Sequence, residues 1–195
     1  FKNTIALNSC TGSLHLALAA KGFGRGDKFI VPTFTFVASV SCGEFLGMEP
    51  ILIDCAKDNF HLNINDIEKY LKQDSSIKAI IPVHFAGYKV NMNDLFELAK
   101  KYNIFVLEDS AHMIGHQSPK KNLRYKNYAQ AYSFYANKNI TTLGEGGALV
   151  TDSEDLASKV RRLSLHGITK DGWDRFAGGK WEYDVLDLGF KYNMP

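Results

Sequence analysis

The sequence predicts an α/β fold in which helices cover both faces of a mostly parallel, mixed sheet. Predicted strands and helices alternate at least four times, and the connections between strands are too long for hairpins. The segment from Ile77 to Val83 is largely apolar, as expected for a strand buried on both faces of a sheet. Right-handed crossovers between the parallel strands follow from this arrangement.

The first half of the chain opens with a short apolar strand, Thr4 to Leu7, and the polar loop Asn8–Gly12. The helix predicted next, Ser13 to Lys21, has its apolar residues at helical spacing. A glycine-rich break separates this helix from a second strand, Phe29 to Val31. That strand leads into a helix predicted to end near Gly47.

The middle of the chain continues the alternation. Ile51 to Ile53 is predicted as a strand, and Asn63 is a polar cap for a helix reaching about Leu71. After the apolar strand that begins at Ile77, an amphipathic helix is predicted over Met92–Tyr102 and a strand over Ile104–Leu107.

One lysine lies between two strands in the following segment. The apolar strand Ala131–Phe134 runs into a polar turn that carries Lys138, and glycines between 144 and 147 return the backbone into the strand Ala148–Thr151. A lysine beside buried surface loses water, which favours its neutral amine, the form that attacks an aldehyde cofactor. Most lysines after a strand are instead solvated loop residues.

The last predicted helix begins at a cap within Asp152–Asp155 and runs to about Leu165. From His166 onward the periodic pattern gives way to glycine, tryptophan and charge, as in Asp171–Arg175. We interpret this part as an irregular excursion toward a neighbouring subunit. The chain has no internal repeat, low-complexity tract or linker, which favours one domain.

Composition excludes several classes of function. The 195 residues are 45% apolar and 23% charged, as in an ordinary soluble globular protein. The net charge is +2 without a basic run, so neither nucleic acid nor a membrane is predicted as a partner. The three cysteines lack metal-ligand spacing, so we predict no metal site and free thiols in a cytoplasmic protein.

Several polar residues follow predicted strands, where ligands collect in an open α/β sheet. The small residues of Asn8–Gly12 and the free N–H groups of the next helix favour an anion, although a capped helix without a ligand fits equally well. Asp109, at the end of a buried strand, is a candidate to pair with a protonated ring nitrogen; its alternative is a helix cap or a surface ion pair.

The remaining candidates suit a planar phosphorylated cofactor. Phe34 and Phe36 follow the second strand, and an aromatic face can stack on a ring, although core packing is the commoner use of phenylalanine. Ser133 offers a hydroxyl to a phosphate near the strand end that precedes Lys138. His112 is a candidate to bond a phenolic oxygen or is a satisfied local histidine. Together with Asp109 and Lys138, these groups match the needs of pyridoxal 5'-phosphate (PLP).

The whole chain resembles the DegT family of sugar aminotransferases, which are fold-type I PLP enzymes. The motifs that carry the resemblance occur in family order: Asn8-Ser-Cys-Thr11, Val31-Pro-Thr-Phe-Thr-Phe-Val-Ala38, Ile80-Ile-Pro-Val-His84, Val106-Leu-Glu-Asp-Ser-Ala111, Ser133-Phe-Tyr-Ala-Asn-Lys138 and Gly144-Glu-Gly-Gly147. The combination of Glu108–His112, Asn137–Thr141 and His166-Gly-Ile168 is most similar to the branch acting on UDP-4-keto-pentose.

The resemblance implies a role for each residue at a matching position. Lys138 forms the covalent link to PLP and shuttles protons. Asp109 pairs with the pyridine nitrogen, Phe36 stacks on the ring, and Ala111 packs against the other ring face. His112 contacts the phenolic side of the cofactor.

The phosphate is expected to bind the backbone N–H groups of Cys10 and Thr11 and the hydroxyl of Ser133. Many relatives have glycine where this chain has Cys10. Asn193 resembles an asparagine that reaches the phosphate of the neighbouring subunit, which implies a homodimer with shared active sites.

The function implied by the resemblance is transfer of an amino group from glutamate to a keto group of a nucleotide-linked sugar, in the synthesis of cell-surface polysaccharide or lipopolysaccharide precursors. One alternative is a PLP-dependent sugar dehydratase or deoxygenase of the same family; those relatives have histidine in place of the lysine, so Lys138 argues against it. A non-catalytic fragment is the other alternative. Residues 1–195 are expected to form the large PLP-binding domain, without the N-terminal segment and small C-terminal domain of family members.

Overall fold

A seven-stranded sheet organises the residues that the computed structural model describes, which are 1–57, 59–115, 125–169 and 182–194. The strands are β1 (Asn3–Leu7), β2 (Lys28–Pro32), β3 (Glu49–Ile53), β4 (Ile77–Ile80), β5 (Phe105–Asp109), β6 (Tyr128–Ser133) and β7 (Gly147–Thr151). The helices are α1 (Cys10–Ala20), α2 (Ala38–Glu44), α3 (Ile64–Gln73), α4 (Met92–Tyr102) and α5 (Glu154–Ser164). A short 3-10 turn, Phe85–Gly87, follows β4.

The sheet is mixed, with strand order β1-β7-β6-β5-β4-β2-β3. β7 is antiparallel to both of its neighbours, β1 and β6, and the remaining pairs are parallel. β1 therefore runs in the same direction as β6, and β7 alone of the seven described strands is reversed. The carboxyl ends of the other six strands lie at one edge of the sheet, where a ligand site is expected.

Helices pack on both faces of the sheet, as the sequence predicts. One apolar core joins α1, α2 and α5 to the sheet, and a second joins α3 and α4 to its other face. Polar side chains cap the helices: Ser9, Asn63, Asn91 and Ser153 each accept a hydrogen bond from a backbone N–H of the first turn. Among the described residues, no helix has both the length and the apolarity needed to cross a membrane.

Some predicted boundaries were wrong. α1 begins at Cys10 rather than Ser13, because Ser9 caps the helix by accepting a hydrogen bond from the N–H of Gly12. The strand from Ile77 ends at Ile80 rather than Val83, and the next residues include Pro82, which has no N–H for a strand ladder.

Other boundaries shift by a few residues. The helix expected to end near Gly47 ends at Glu44, and β6 begins at Tyr128 instead of Ala131. The predicted excursion around Asp171–Arg175 lies outside the described residues.

Candidate active site

A cavity of about 530 Å³ opens at the edge where six strands end. This volume lies within the range of about 300–1,000 Å³ that is typical of small-molecule sites. Residues that follow five of the strands line it: Ser9, Cys10, Thr11, Leu14, Phe36, Ala38, Val83, His84, Phe85, Asp109, Ala111, His112, Ser133, Tyr135, Asn137, Lys138 and Glu145. Seven of the eight cofactor-binding residues predicted from the sequence are in this set.

The N-terminus of α1 forms one wall of the cavity. In its first turn, the N–H of Gly12 is bonded to the Ser9 hydroxyl and the N–H of Ser13 to the Ser9 carbonyl. Cys10 and Thr11 precede these two residues, and their N–H groups lie at the positively polarised end of the helix, which favours an anion. Gly147 lies directly behind this loop; a Cβ there would be 2.5 Å from the Cys10 nitrogen, so only glycine allows β7 to come this close.

Asp109 ends β5 and is almost fully buried, with 6% exposure. Its Oδ2 accepts a hydrogen bond of 2.7 Å from the Ser39 hydroxyl, and its Oδ1 accepts one of 3.1 Å from the N–H of Ala111. The Cys10 Sγ lies 3.9 Å from Oδ1. Burial, followed by the charge of Asp109, raises the pKa of the Cys10 thiol, so the thiol stays protonated beside this carboxylate.

Lys138 lies in the turn after β6, and its Nζ is 2.8 Å from the Nε2 of His112. The N–H of Ala86 donates to the other ring nitrogen of His112, Nδ1, at 3.1 Å. A neutral imidazole with Nδ1 as acceptor carries its hydrogen on Nε2. In that tautomer the Nε2–H of His112 faces the Lys138 nitrogen.

The neutral state of His112 agrees with its surroundings. Burial lowers the pKa of His112, and the positive end of Lys138 lowers it further, while Asp109 acts in the opposite direction. Ala86, which fixes the ring tautomer, has φ of 52° in the 3-10 turn after β4. A non-glycine residue in this left-handed region is uncommon, and such residues often occur at functional sites.

The two predicted aromatic residues have different environments. Phe36 lines the cavity and is 72% exposed, so its ring face is available to a planar ligand. Phe34 does not line the cavity; it stacks on Phe60 at 4.9 Å and packs against Phe85 at 4.4 Å between ring centroids. Ser133 is buried at the cavity wall, where its hydroxyl oxygen accepts a hydrogen bond from the Tyr135 N–H. Among the described residues no acceptor is found for its hydrogen, which can therefore be donated to a ligand.

Asn193 does not line the cavity. Its backbone is bridged to Leu7, and the carbonyl of the neighbouring Tyr192 accepts a hydrogen bond from the Asn8 N–H, so Asn193 lies beside the start of the loop Asn8–Gly12. Its side-chain Nδ2 donates to the Met194 carbonyl, and its buried Oδ1 has no partner among the described residues. Its predicted contact with a neighbouring subunit stays a prediction.

Two residues of this region were not singled out as site residues from the sequence. Ser39 is fully buried beneath the cavity and bonded to Asp109, and the only signal for it is its position in the helix that follows Phe36. His84 lines the cavity but donates from Nε2 to the Glu108 carboxylate at 2.7 Å, since its Nδ1 accepts the Val90 N–H.

Glu108 lies behind the cavity wall and is 2% exposed. Besides the bond from His84, it accepts hydrogen bonds from the Tyr128 hydroxyl and from the Gln130 amide, and that amide also donates to Ser110. A buried carboxylate is stable in such a site only when donors surround it. We refer to His84, Glu108, Ser110, Tyr128 and Gln130 as the back cluster.

Comparison with known sequences connects this geometry to a family. The model of the DegT/DnrJ/EryC1/StrS aminotransferase family matches residues 1–195. The chain is 41% identical over 194 residues to the spore coat polysaccharide biosynthesis protein SpsC of Bacillus subtilis, covering 99% of this chain and 49% of SpsC. It is 39% identical over 194 residues to the uncharacterized protein MJ1066 of Methanocaldococcus jannaschii, covering 99% and 50%. The chain thus spans about half the length of the curated relatives it matches.

Solved structures of a putative sugar aminotransferase also align with this chain. The PMP form of the putative sugar aminotransferase Spr1654 from Streptococcus pneumoniae aligns with a TM-score of 0.83 and 32% identity, covering 98% of this chain and 52% of that one. The PLP form of the same protein aligns with a TM-score of 0.83 and 31% identity, covering 99% and 52%. Spr1654 therefore shares this fold, both in its PLP form and in its PMP form.

Proposed function

This chain belongs to the DegT/DnrJ/EryC1/StrS aminotransferase family, and from that premise we propose that it binds PLP and acts in the transfer of an amino group to a sugar. The observation that carries the proposal is the cavity itself, where Lys138, Asp109 and the start of α1 face one volume. We also propose that residues 1–195 form the cofactor-binding domain of this enzyme. The SpsC and Spr1654 names support a sugar or polysaccharide substrate.

Residues of the cavity suit the phosphate, the ring nitrogen and the ring face of PLP. The Cys10 and Thr11 N–H groups and the Ser133 hydroxyl suit its phosphate, because all are donors at the positive end of a helix or beside it. Asp109 suits the ring nitrogen, since its Oδ2 accepts the Ser39 hydroxyl and has a further lone pair for an N–H donor. The exposed face of Phe36 suits the ring.

Bound PLP supplies an aldehyde that accepts an amino group and a ring that withdraws electrons from the reacting carbon. The contribution of Asp109 is electrostatic: a carboxylate beside the ring nitrogen favours its protonated form. The walls formed by Leu14, Val83 and Phe85 are apolar and limit water around these charges.

Lys138 is proposed to provide the amine that attaches the cofactor and moves protons. Its uncharged form is the nucleophilic and proton-accepting form, and that form can accept a hydrogen bond from the His112 Nε2–H, which lies 2.8 Å from Nζ. The Ala86 N–H holds the His112 tautomer, so the backbone of the 3-10 turn sets the direction of the hydrogen bond to Lys138. When Lys138 accepts a proton, it becomes a general acid at the same position.

A direct test is the site of cofactor attachment. Full-length protein is incubated with PLP, reduced with borohydride and digested, and the peptides are analysed by mass spectrometry. We expect the phosphopyridoxyl group on Lys138, no stable attachment in Lys138→Ala, and unchanged attachment in Lys100→Ala, a control at an exposed lysine of α4. Wild-type protein whose Lys138 peptide stays unmodified would refute the proposal.

The finer substrate proposal is glutamate as donor and a nucleotide-linked ketosugar as acceptor, with shared active sites in a homodimer. It rests on the motif resemblance, which is most similar to the branch acting on UDP-4-keto-pentose. Full-length protein is incubated with glutamate and UDP-4-keto-pentose, and both products are measured. Oxoglutarate and an aminosugar in equal amounts are the expected products. A deoxysugar with no net gain of nitrogen would favour the dehydratase alternative instead.

A further inference from the structure

The segment Thr35–Ser39 contacts two parts of the candidate site. Phe36 presents its exposed ring to the cavity, and Ser39, near the start of α2, is fully buried beneath it. The Ser39 N–H donates to the Phe36 carbonyl at 3.1 Å, so the two residues belong to one hydrogen-bonded turn. A displacement of this turn therefore moves both residues together.

The donor and the acceptor can be assigned in both hydrogen bonds of the Ser39 side chain. An ionised carboxylate only accepts, so the Ser39 hydroxyl donates its hydrogen to the Asp109 Oδ2 at 2.7 Å. The Thr35 Oγ1 lies 2.8 Å from the Ser39 Oγ. Because the single Ser39 hydrogen is already engaged, Thr35 is the donor of this second bond. The result is a chain in which Thr35 orients Ser39 and Ser39 orients Asp109.

Asp109 is held at both oxygens by this arrangement. Ser39 fixes Oδ2, and the Ala111 N–H fixes Oδ1 at 3.1 Å. Two donors on opposite oxygens define the plane of the carboxylate, and a buried bond to a charged group is stronger than one between neutral groups. Without the Ser39 hydroxyl, Oδ2 of a carboxylate that is almost fully buried loses its donor.

We propose that Ser39 is a positioning residue, oriented by Thr35, which sets the plane of the Asp109 carboxylate toward the ring nitrogen of the bound cofactor. This inference rests on the proposed binding of PLP. Since Phe36 and Ser39 share one turn, the same segment aligns the group that stacks on the ring and the group that directs its nitrogen partner. Ser39 itself acts only through Asp109.

The test is a double-mutant cycle on PLP binding in the full-length protein. Ser39→Ala, Asp109→Ala and the double variant are titrated with PLP, and the pH dependence of the visible absorption of bound PLP is recorded for each. Ser39→Ala is expected to weaken PLP binding roughly tenfold, since a bond to a charged group is lost. It is also expected to shift the pH at which the absorption band changes. In the Asp109→Ala background, Ser39→Ala should cause little further loss.

The outcomes separate positioning from packing. A tenfold loss that persists in the Asp109→Ala background, or a band whose pH dependence does not move, would assign Ser39 to packing and overturn the proposal. If Ser39→Ala does not fold, Thr35→Val is measured in its place. This variant retains Ser39 and removes only the Thr35 hydroxyl that donates to Ser39. Thr35→Val should shift the band in the same direction by less, and no shift would overturn the proposal.

The same experiment separates this inference from the function on which it depends. Wild-type protein that fails to attach PLP to Lys138 contradicts the proposed function as a whole. Wild-type protein that attaches PLP, with variants at Thr35 and Ser39 that behave like it, contradicts only the positioning role.

Discussion

Two neighbouring residues at the end of β5 carry buried carboxylates with different surroundings. Asp109 faces the cavity with the Ser39 hydroxyl, the Ala111 N–H and the Cys10 thiol as its donors. Glu108 points to the other side of the strand, where His84, Tyr128 and Gln130 all donate to it. Successive side chains of a strand alternate between faces, so one step along the chain separates a carboxylate open to a ligand from one enclosed by protein.

The histidines of the two regions extend the comparison. His84 and His112 both accept a backbone N–H at Nδ1 and therefore both direct Nε2–H outward. His84 donates that hydrogen to the Glu108 carboxylate, whereas the Nε2 of His112 lies 2.8 Å from the Lys138 amine. The same tautomer thus stabilises a closed hydrogen-bond network in the back cluster and faces the Lys138 amine in the cavity. Burial and charge alone do not distinguish a structural group from a site group; the available space and unfilled hydrogen-bond capacity do.

The largest effect is expected from removing the carboxylate of the back cluster. Glu108→Ala removes the buried carboxylate to which His84, Tyr128 and Gln130 donate, and it should lower the free energy of unfolding by about 3–5 kcal/mol. Glu108→Gln keeps the volume but places an amide N–H against donors, and should lower it by about 1–3 kcal/mol. Urea denaturation of full-length variants measures both. Stability equal to wild type in Glu108→Ala would show that the network is not needed for folding.

The matched change in the cavity should affect chemistry rather than stability. Asp109→Asn keeps the shape and removes the charge proposed to act on the ring nitrogen. We expect kcat to fall on the order of 10²–10³-fold, as for loss of one preorganised electrostatic partner. Thermal unfolding should show a much smaller change than Glu108→Gln. An Asp109→Asn enzyme with wild-type kcat would remove the proposed difference between the two carboxylates.

A smaller effect concerns pH and the cavity histidine. Burial lowers the pKa of His112 in the folded protein below its unfolded value of about 6.5. As pH falls through that value, the unfolded chain binds a proton that the folded chain does not, so stability decreases toward acid pH. His112→Gln removes this contribution and should make the loss of stability between pH 7 and pH 5 shallower. Urea midpoints at both pH values check it, and an unchanged slope would contradict the assigned state of His112.

The sequence by itself determined the fold class and the edge of the sheet that holds the site. Alternating apolar strands and helices predict the layered sheet, and a residue that follows a parallel strand must lie at its carboxyl edge. For that reason Asp109, Ser133 and Lys138 could be predicted to share one edge before any coordinates were known. The motifs around these residues also identified the family, because they are local in sequence.

Tertiary structure alone decided which partners these residues have. Ser39 reaches Asp109, and the Ala86 N–H fixes His112 against Lys138, across separations in the chain that no local pattern encodes. Alternation places Glu108 and Asp109 on opposite faces, but only the packing of α1 and α2 on one face shows which carboxylate meets the cavity. Hydrogen bonds between distant segments depend on angles and distances of a few tenths of an ångström, and these are set by the packed core as a whole.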